Sequence, residues 1–261
     1  MKTLKISPLY QYSLRQNLNT MLWVYGFSIG IPLLIGGFFL FRSTRGFIDG
    51  TSISSNGTVE FATTIALFVQ MCVAIRASMR LGVQNGRSRG TVITSEIMTL
   101  ATVAAIYSAF NLLTELLIYP LFNEMMLYSF SYRTTQLGPF MRVVAHFLFN
   151  FAMLMAVGAF GMFLSTMYWR LDKFWRVIVS VGIPVFILFG LPTITLRGGD
   201  VGYRFGIKTL RFLGWCMGYP SPGSLNVAGM SPWRPVIFFL VIAAVLLALV
   251  YPMMRKAVVK K

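Results

Sequence analysis

The chain has 261 residues, of which 56% are hydrophobic and only 11% charged, leaving too little polar surface to cover a soluble globule of that size. A formal net charge of +16 on a soluble protein would point to nucleic acid. The short loops between apolar runs offer no groove for it, so the excess reads as membrane topology plus attraction to anionic membrane lipid.

The expectation is therefore an all-α integral membrane protein, a single transmembrane domain over 1–261. Six transmembrane helices are expected at 21–41, 58–75, 97–119, 143–166, 177–195 and 233–252. Each approaches the ~20 apolar residues that a hydrocarbon core requires. Ahead of them, Ser7 and Pro8 supply a cap and a first helical residue. Tyr10, Leu14, Leu18 and Met21 recur on one side while Gln11, Arg15 and Asn19 take the other. This predicts an interfacial helix over 1–20 lying on the cytoplasmic surface; its alternative is an inward extension of span one.

Span one, MLWVYGFSIGIPLLIGGFFLF, carries no charge and is followed by RSTRG, which marks a retained span and not a cleaved signal peptide. Gly26-Phe27-Ser28-Ile29-Gly30 matches a G-x-S-x-G nucleophile elbow, but that elbow needs a strand-to-helix turn and this one lies within an apolar helix. The same glycines fit G-x-x-x-G, so Gly26 and Gly30 are expected to pack against a second helix in a dimer. Asn56-Gly57-Thr58 fits a glycan acceptor on the outer side.

Between spans two and three lies LGVQNGRSRGTVITSE (81–96), with Gly82, Gly86 and Gly90 at intervals of four. A phosphate cradle needs G-x-x-x-x-G-K followed by Ser or Thr. No lysine occurs between Lys5 and Lys173, so no ATP or magnesium site is expected in this chain. Residues 76–96 read as a cytoplasmic loop.

Polar residues inside spans are costly and therefore informative. Gln70, Asn111, Glu115, His146 and Asn150 are of this kind, and the last four are candidates for a substrate pathway. The blander readings are that Glu115 reaches the outer interface or pairs with Arg133 or Arg142, and that the asparagines bridge helices. A single histidine excludes an H-E-x-x-H zinc site, and no metal or other cofactor is expected. A serine protease using Ser28 and His146, or an ion-coupled transporter, stand as rivals.

Met153, Met155, Met162 and Met167 suit an adaptable surface or ordinary core packing. The loop RLDKFWR (170–176) follows. The long outer segment 196–232 carries an apolar, aromatic centre, IKTLRFLGWCMGY, expected to dip toward the membrane or cap the spans. Cys72 lies in a span and Cys216 in this segment, so no bridge is expected. Trp23, Tyr168, Trp169, Trp175 and Tyr251 are expected at the inner boundary, and Tyr119, Tyr128, Trp215 and Trp233 at the outer one. Fourteen of the 23 Lys and Arg then fall on the side of the termini, which favours both termini inside.

Asn85-Gly86-Arg87-Ser88-Arg89, followed by Gly90 and Thr91, resembles the N-G-x-S-R stretch between the second and third spans of small permease subunits in the type-2 ABC exporter family. Gly90 departs from the lysine or helix former usual there. The surface helix, the six spans and the large segment between spans five and six extend the resemblance over the chain. It implies that Asn85, Gly86, Arg87, Ser88, Arg89 and Thr91 form a coupling element that docks a separate ABC ATP-binding subunit, two copies per assembly, with ATP and magnesium held by that partner. It further implies a second permease copy or paralogue, outward transport of an amphipathic or lipophilic cargo such as a peptide, no catalytic site of its own, and location in the cytoplasmic membrane of a bacterial cell.

Overall fold

A computed structural model describes residues 8–42, 58–122, 127–132, 137–182, 199–219 and 230–255, which are helical apart from short turns. In chain order these are α1 (Pro8–Arg42), α2 (Thr58–Gln84), α3 (Arg89–Phe122), α4 (Leu127–Tyr132), α5 (Pro139–Arg170), α6 (Lys173–Val177) with a π-helical turn (Ile178–Gly182), α7 (Gly199–Cys216) and α8 (Trp233–Arg255). Four stretches are long and apolar enough to cross a membrane: Val59–Gln84, Arg89–Leu116, Pro139–Arg170 and Trp233–Arg255. The first expected span lies within α1, whose side chains from 28 onward are outside the described residues. So are 183–195 of the fifth span, Ser7, Asn56, Arg133 and 220–229.

Residues 8–42 form one uninterrupted helix, so the segment 8–20 extends span one and is not a separate surface helix. The amphipathic pattern was real, but its apolar side faces protein. Met21 and Tyr25 are buried in the main core, with Leu14 and Leu18 packed against it, and α1 packs on α2 and α3. The physical reason is length. At about 1.5 Å per residue, α2 (27 residues) and α3 (34 residues) outreach a hydrocarbon core about 30 Å thick. Their ends give the start of α1 a wall of helix to pack on.

α5 is the hub, in contact with α8, α2, α3 and α4. It starts at Pro139, a proline in the first turn behind Gly138, where the missing N–H costs nothing. Along it Ala145, Ala152, Ala156, Gly158, Ala159 and Gly161 are buried, and small residues let backbones approach closely. A methyl group on Gly161 would sit 2.7 Å from the Phe68 carbonyl oxygen, and one on Gly158 would collide with Leu100 Cδ1. The close helix seam visible here is thus on α5, within the chain. A methyl group added to Gly26, which is exposed, would meet no other part of the protein within 4 Å among the described residues. The side-chain surroundings of Gly30 lie outside the described residues.

Hydrogen bonds lock the same seam. Ser165 Oγ donates to the Cys72 carbonyl at 2.5 Å, Cys72 Sγ to the Gly161 carbonyl at 3.4 Å, and an Arg76 Nη2 to the Ser165 carbonyl at 3.2 Å. Gly161→Leu is expected to lower the unfolding temperature in detergent, by overpacking worth about 1–3 kcal/mol. Gly26→Leu in the same assay should leave the temperature unchanged.

Met162 is fully buried and Met155 packs against the main core, while Met153 packs on a second cluster around Tyr128, Tyr132 and Phe149. The methionines described there serve packing. Both cysteines are free. Trp23, Trp175, Trp215 and Tyr251 are exposed, as boundary residues should be, but Tyr128 is buried and does not mark a boundary.

Candidate functional site

Two places collect the polar residues singled out by sequence: the turn between α2 and α3, and the interior around Glu115.

The turn is four residues long, not the 21-residue loop expected over 76–96, because both helices run on to meet it. Gly86 has φ +68, the left-handed conformation that glycine adopts without penalty. Its N–H bonds the Val83 carbonyl at 3.1 Å, and that of Arg87 bonds the Gly82 carbonyl at 2.9 Å. This paired 5→2 and 6→1 pattern is a Schellman stop. Asn85 Nδ2 donates to the Leu81 carbonyl at 2.8 Å.

The next residue starts α3. Ser88 Oγ accepts from the Thr91 N–H at 3.2 Å and lies 2.7 Å from Thr91 Oγ1, an N-cap that satisfies one of the first free amides. Asn85, Gly86, Ser88 and Thr91 are thereby explained as a helix stop followed by a helix start. Just above the turn, a methyl group on Gly82 would collide with Val92, so the two helices close tightly on each other.

The two arginines divide. Arg87 is exposed at the apex. Arg89 is half-buried and an Nη1 hydrogen donates to the Arg255 carbonyl at 3.2 Å. It ties the start of α3 to the last residue of α8. Gly90 faces the Tyr251 hydroxyl across the same contact, where an added methyl would sit at 3.5 Å, an ordinary van der Waals distance. The hairpin is therefore stiff and clamped from the side.

At the opposite end of the bundle, His146 Nδ1 on α5 lies 2.8 Å from Glu115 Oε2 on α3, with both side chains largely buried. Glu115, expected to reach the outer interface or to pair with Arg133 or Arg142, has His146 as a partner; Arg133 lies outside the described residues. The Tyr128 ring stacks on the imidazole at 4.9 Å between centroids, with 8° between planes. Burial pushes the Tyr128 phenol up to about 12, with Arg142 lowering it and Glu115 raising it by smaller amounts, so it stays protonated at neutral pH. Asn150, one turn further along α5, is fully buried. Both of its side-chain polar atoms, and His146 Nε2, have no hydrogen-bond partner among the described residues.

Asn111 is part of a separate interhelical network. Its Oδ1 accepts from the Tyr25 hydroxyl at 2.6 Å, its Nδ2 donates to Thr63 Oγ1 at 3.3 Å, and Gln70 Nε2 donates to the Tyr107 hydroxyl at 3.2 Å. This is the bridging reading of the asparagine, joining α1, α2 and α3. Glu115 and His146 come together, with Asn150 one turn along α5; Asn111 belongs to the other network instead.

Sequence reasoning passed over Glu96, placed at the end of the loop. It is fully buried in α3 and accepts from Ser13 Oγ of α1 at 3.2 Å. Glu60, also buried, was missed as well. Residues 26–30 are helical backbone, so the G-x-S-x-G match lacks the turn that an elbow requires. Among the described residues no group of three His, Cys, Asp or Glu is placed to hold a metal ion.

No protein-family model, no curated protein and no solved structure matches this chain.

Proposed function

We propose that the chain is the permease subunit of an ATP-driven exporter of the type-2 ABC class. Two permeases, each with six spans, enclose a path for an amphipathic or lipophilic cargo, and two ATP-binding subunits dock at the α2–α3 hairpins from the cytosol. The observation that carries this reading is the capped N-G-R-S-R turn. It presents Arg87 on a short rigid apex, clamped to α8 through Arg89 and Arg255. A partner that pushes there moves α2, α3 and α8 together, and two packed helices convert a small local shift into a rigid-body tilt. A long flexible loop would absorb the same push. By itself the chain burns no nucleotide.

The test is reconstitution. Purified alone into vesicles, the protein should show no nucleotide hydrolysis; co-expressed with a candidate ATP-binding subunit, the two should purify together and hydrolyse ATP in a cargo-stimulated manner. Nucleotide hydrolysis by the permease alone, or no stable association with any ATP-binding subunit, would refute the proposal.

A second reading draws on one observation: a buried Glu115–His146 pair inside helices of membrane-spanning length is a device that proton-coupled carriers use. Uptake or export that follows an imposed pH gradient without ATP would favour it over the exporter.

A further inference from the structure

α7 (Gly199–Cys216) is unlike the other long helices. Its 18 residues carry Arg204, Lys208 and Arg211 at spacings of four and three, which places all three on one helical face, and all three are exposed. Phe212, Leu213 and Trp215 are exposed too. A helix with cations along its middle does not cross a hydrocarbon core, yet one exposing this much apolar surface does not rest in water.

Its C-terminal end is fixed. The Tyr132 hydroxyl donates to the Met217 carbonyl at 2.7 Å. Gly218, with φ +92, packs so closely that an added methyl would collide with the Ser231 carbonyl oxygen, and its own carbonyl accepts from Ser231 N–H at 3.0 Å. From the start of α8, Arg234 donates to the Tyr219 carbonyl at 3.1 Å and lays its guanidinium 5.4 Å from the Trp215 ring centroid. Among the described residues the body of α7 packs only sparingly, on α8.

This anchor is at the end of the bundle away from the hairpin, because α8 runs from Trp233 beside it to Arg255 at Arg89. Cations there run against the bias that gathers basic residues at the hairpin side. Topology does not account for them; a partner of opposite charge does.

We propose that α7 is a docking surface for anionic phospholipid. It lies in the interface at the end opposite the hairpin, with Phe212 and Trp215, four residues after Lys208 and Arg211, at the acyl boundary, while the long Arg204, Lys208 and Arg211 side chains reach headgroup phosphates. Arginine forks and the lysine point charge both suit phosphate. Trp215 sits at the height where indole rings settle. None of this depends on a docked ATPase.

The experiment uses the full chain in phosphatidylcholine vesicles containing a trace of spin-labelled phosphatidylglycerol or, separately, spin-labelled phosphatidylcholine, and reads the fraction of motionally restricted label at the protein surface. The expected result is a preference for phosphatidylglycerol of roughly threefold to tenfold, falling to near parity in R204E/K208E/R211E and weakening in high salt. R80E/R170E, which reverses charge at the hairpin end instead, should retain most of the preference. An R204E/K208E/R211E protein as selective as the native one overturns the proposal. An equal drop in R80E/R170E overturns it also, since selectivity would then follow total charge.

Discussion

With the hairpin as the proposed docking site, Arg87→Glu is expected to abolish co-purification of an ATP-binding subunit while leaving the chain's own unfolding temperature unchanged. The Arg87 side chain is exposed at the apex of the hairpin, and its contribution to the turn is made by the backbone N–H bonded to Gly82. Surface substitutions of that kind fall within about 0.5 kcal/mol of neutral. Placing a carboxylate against the acidic groups that must face an arginine costs several kcal/mol, or about a hundredfold or more in affinity.

Ser88→Ala provides the opposite pattern. It removes the N-cap to Thr91 at about 1 kcal/mol of stability but keeps the charge, so docking survives a lower unfolding temperature. Arg89→Glu breaks the tie to Arg255 and is expected to loosen α3 from α8 more than it weakens docking. Pull-down with the tagged ATP-binding subunit, beside thermal unfolding of the permease alone, separates the three. Native-level capture of the partner by the Arg87→Glu protein would remove the hairpin from the docking surface.

The all-helical membrane class was legible because burial in lipid leaves long uncharged runs, which a window of hydropathy detects directly. Helix ends were not. α2 and α3 continue through Arg76, Arg80 and Arg89, residues that a hydropathy boundary assigns to loop, although lysine- and arginine-bearing turns propagate a helix well. The stop and start were written in Asn85-Gly86 and Ser88, local signals whose meaning needs only a few neighbouring residues. Gly86 in particular was read for phosphate before it was read for φ.

The interior was less legible because its logic is non-local. Ser13 and Glu96 are 83 positions apart, and Tyr25 and Asn111 are 86 apart; no periodicity within one helix reports such a pair. Glu96 reads as a solvated end-of-loop acid until the extension of α1 is known to cover it. The same applies to Tyr128, assigned to a boundary by residue type, yet buried against His146 through α4, a six-residue helix too short to have a sequence signature. The stripe on α1 shows the limit from the other side: pattern gave the apolar face correctly, but it cannot say whether lipid or another helix covers that face.

The Glu115–His146 pair is expected to separate stability from transport. His146→Leu removes the imidazole that faces the largely buried Glu115 carboxyl; breaking a buried pair costs up to about 3–5 kcal/mol. Glu115→Leu leaves a neutral imidazole whose Nδ1 joins Nε2 without a partner, at about 1–3 kcal/mol. In E115L/H146L the site becomes apolar beside Tyr128, Tyr132 and Phe149. Replacing both members of a buried pair is commonly neutral, so the double variant should unfold close to the native temperature and well above either single one. The measured coupling energy is then large and of opposite sign to the single losses. Transport should not recover with it. A carboxylate, an imidazole and the unbonded amide of Asn150 on one stretch of α3 and α5 are groups that a moving cargo or proton can use, and two leucines supply none of them. Thermal unfolding of the four proteins, set beside cargo export by the same four in reconstituted vesicles, reads both quantities. Full export by E115L/H146L would make the pair a packing device and remove it from the pathway.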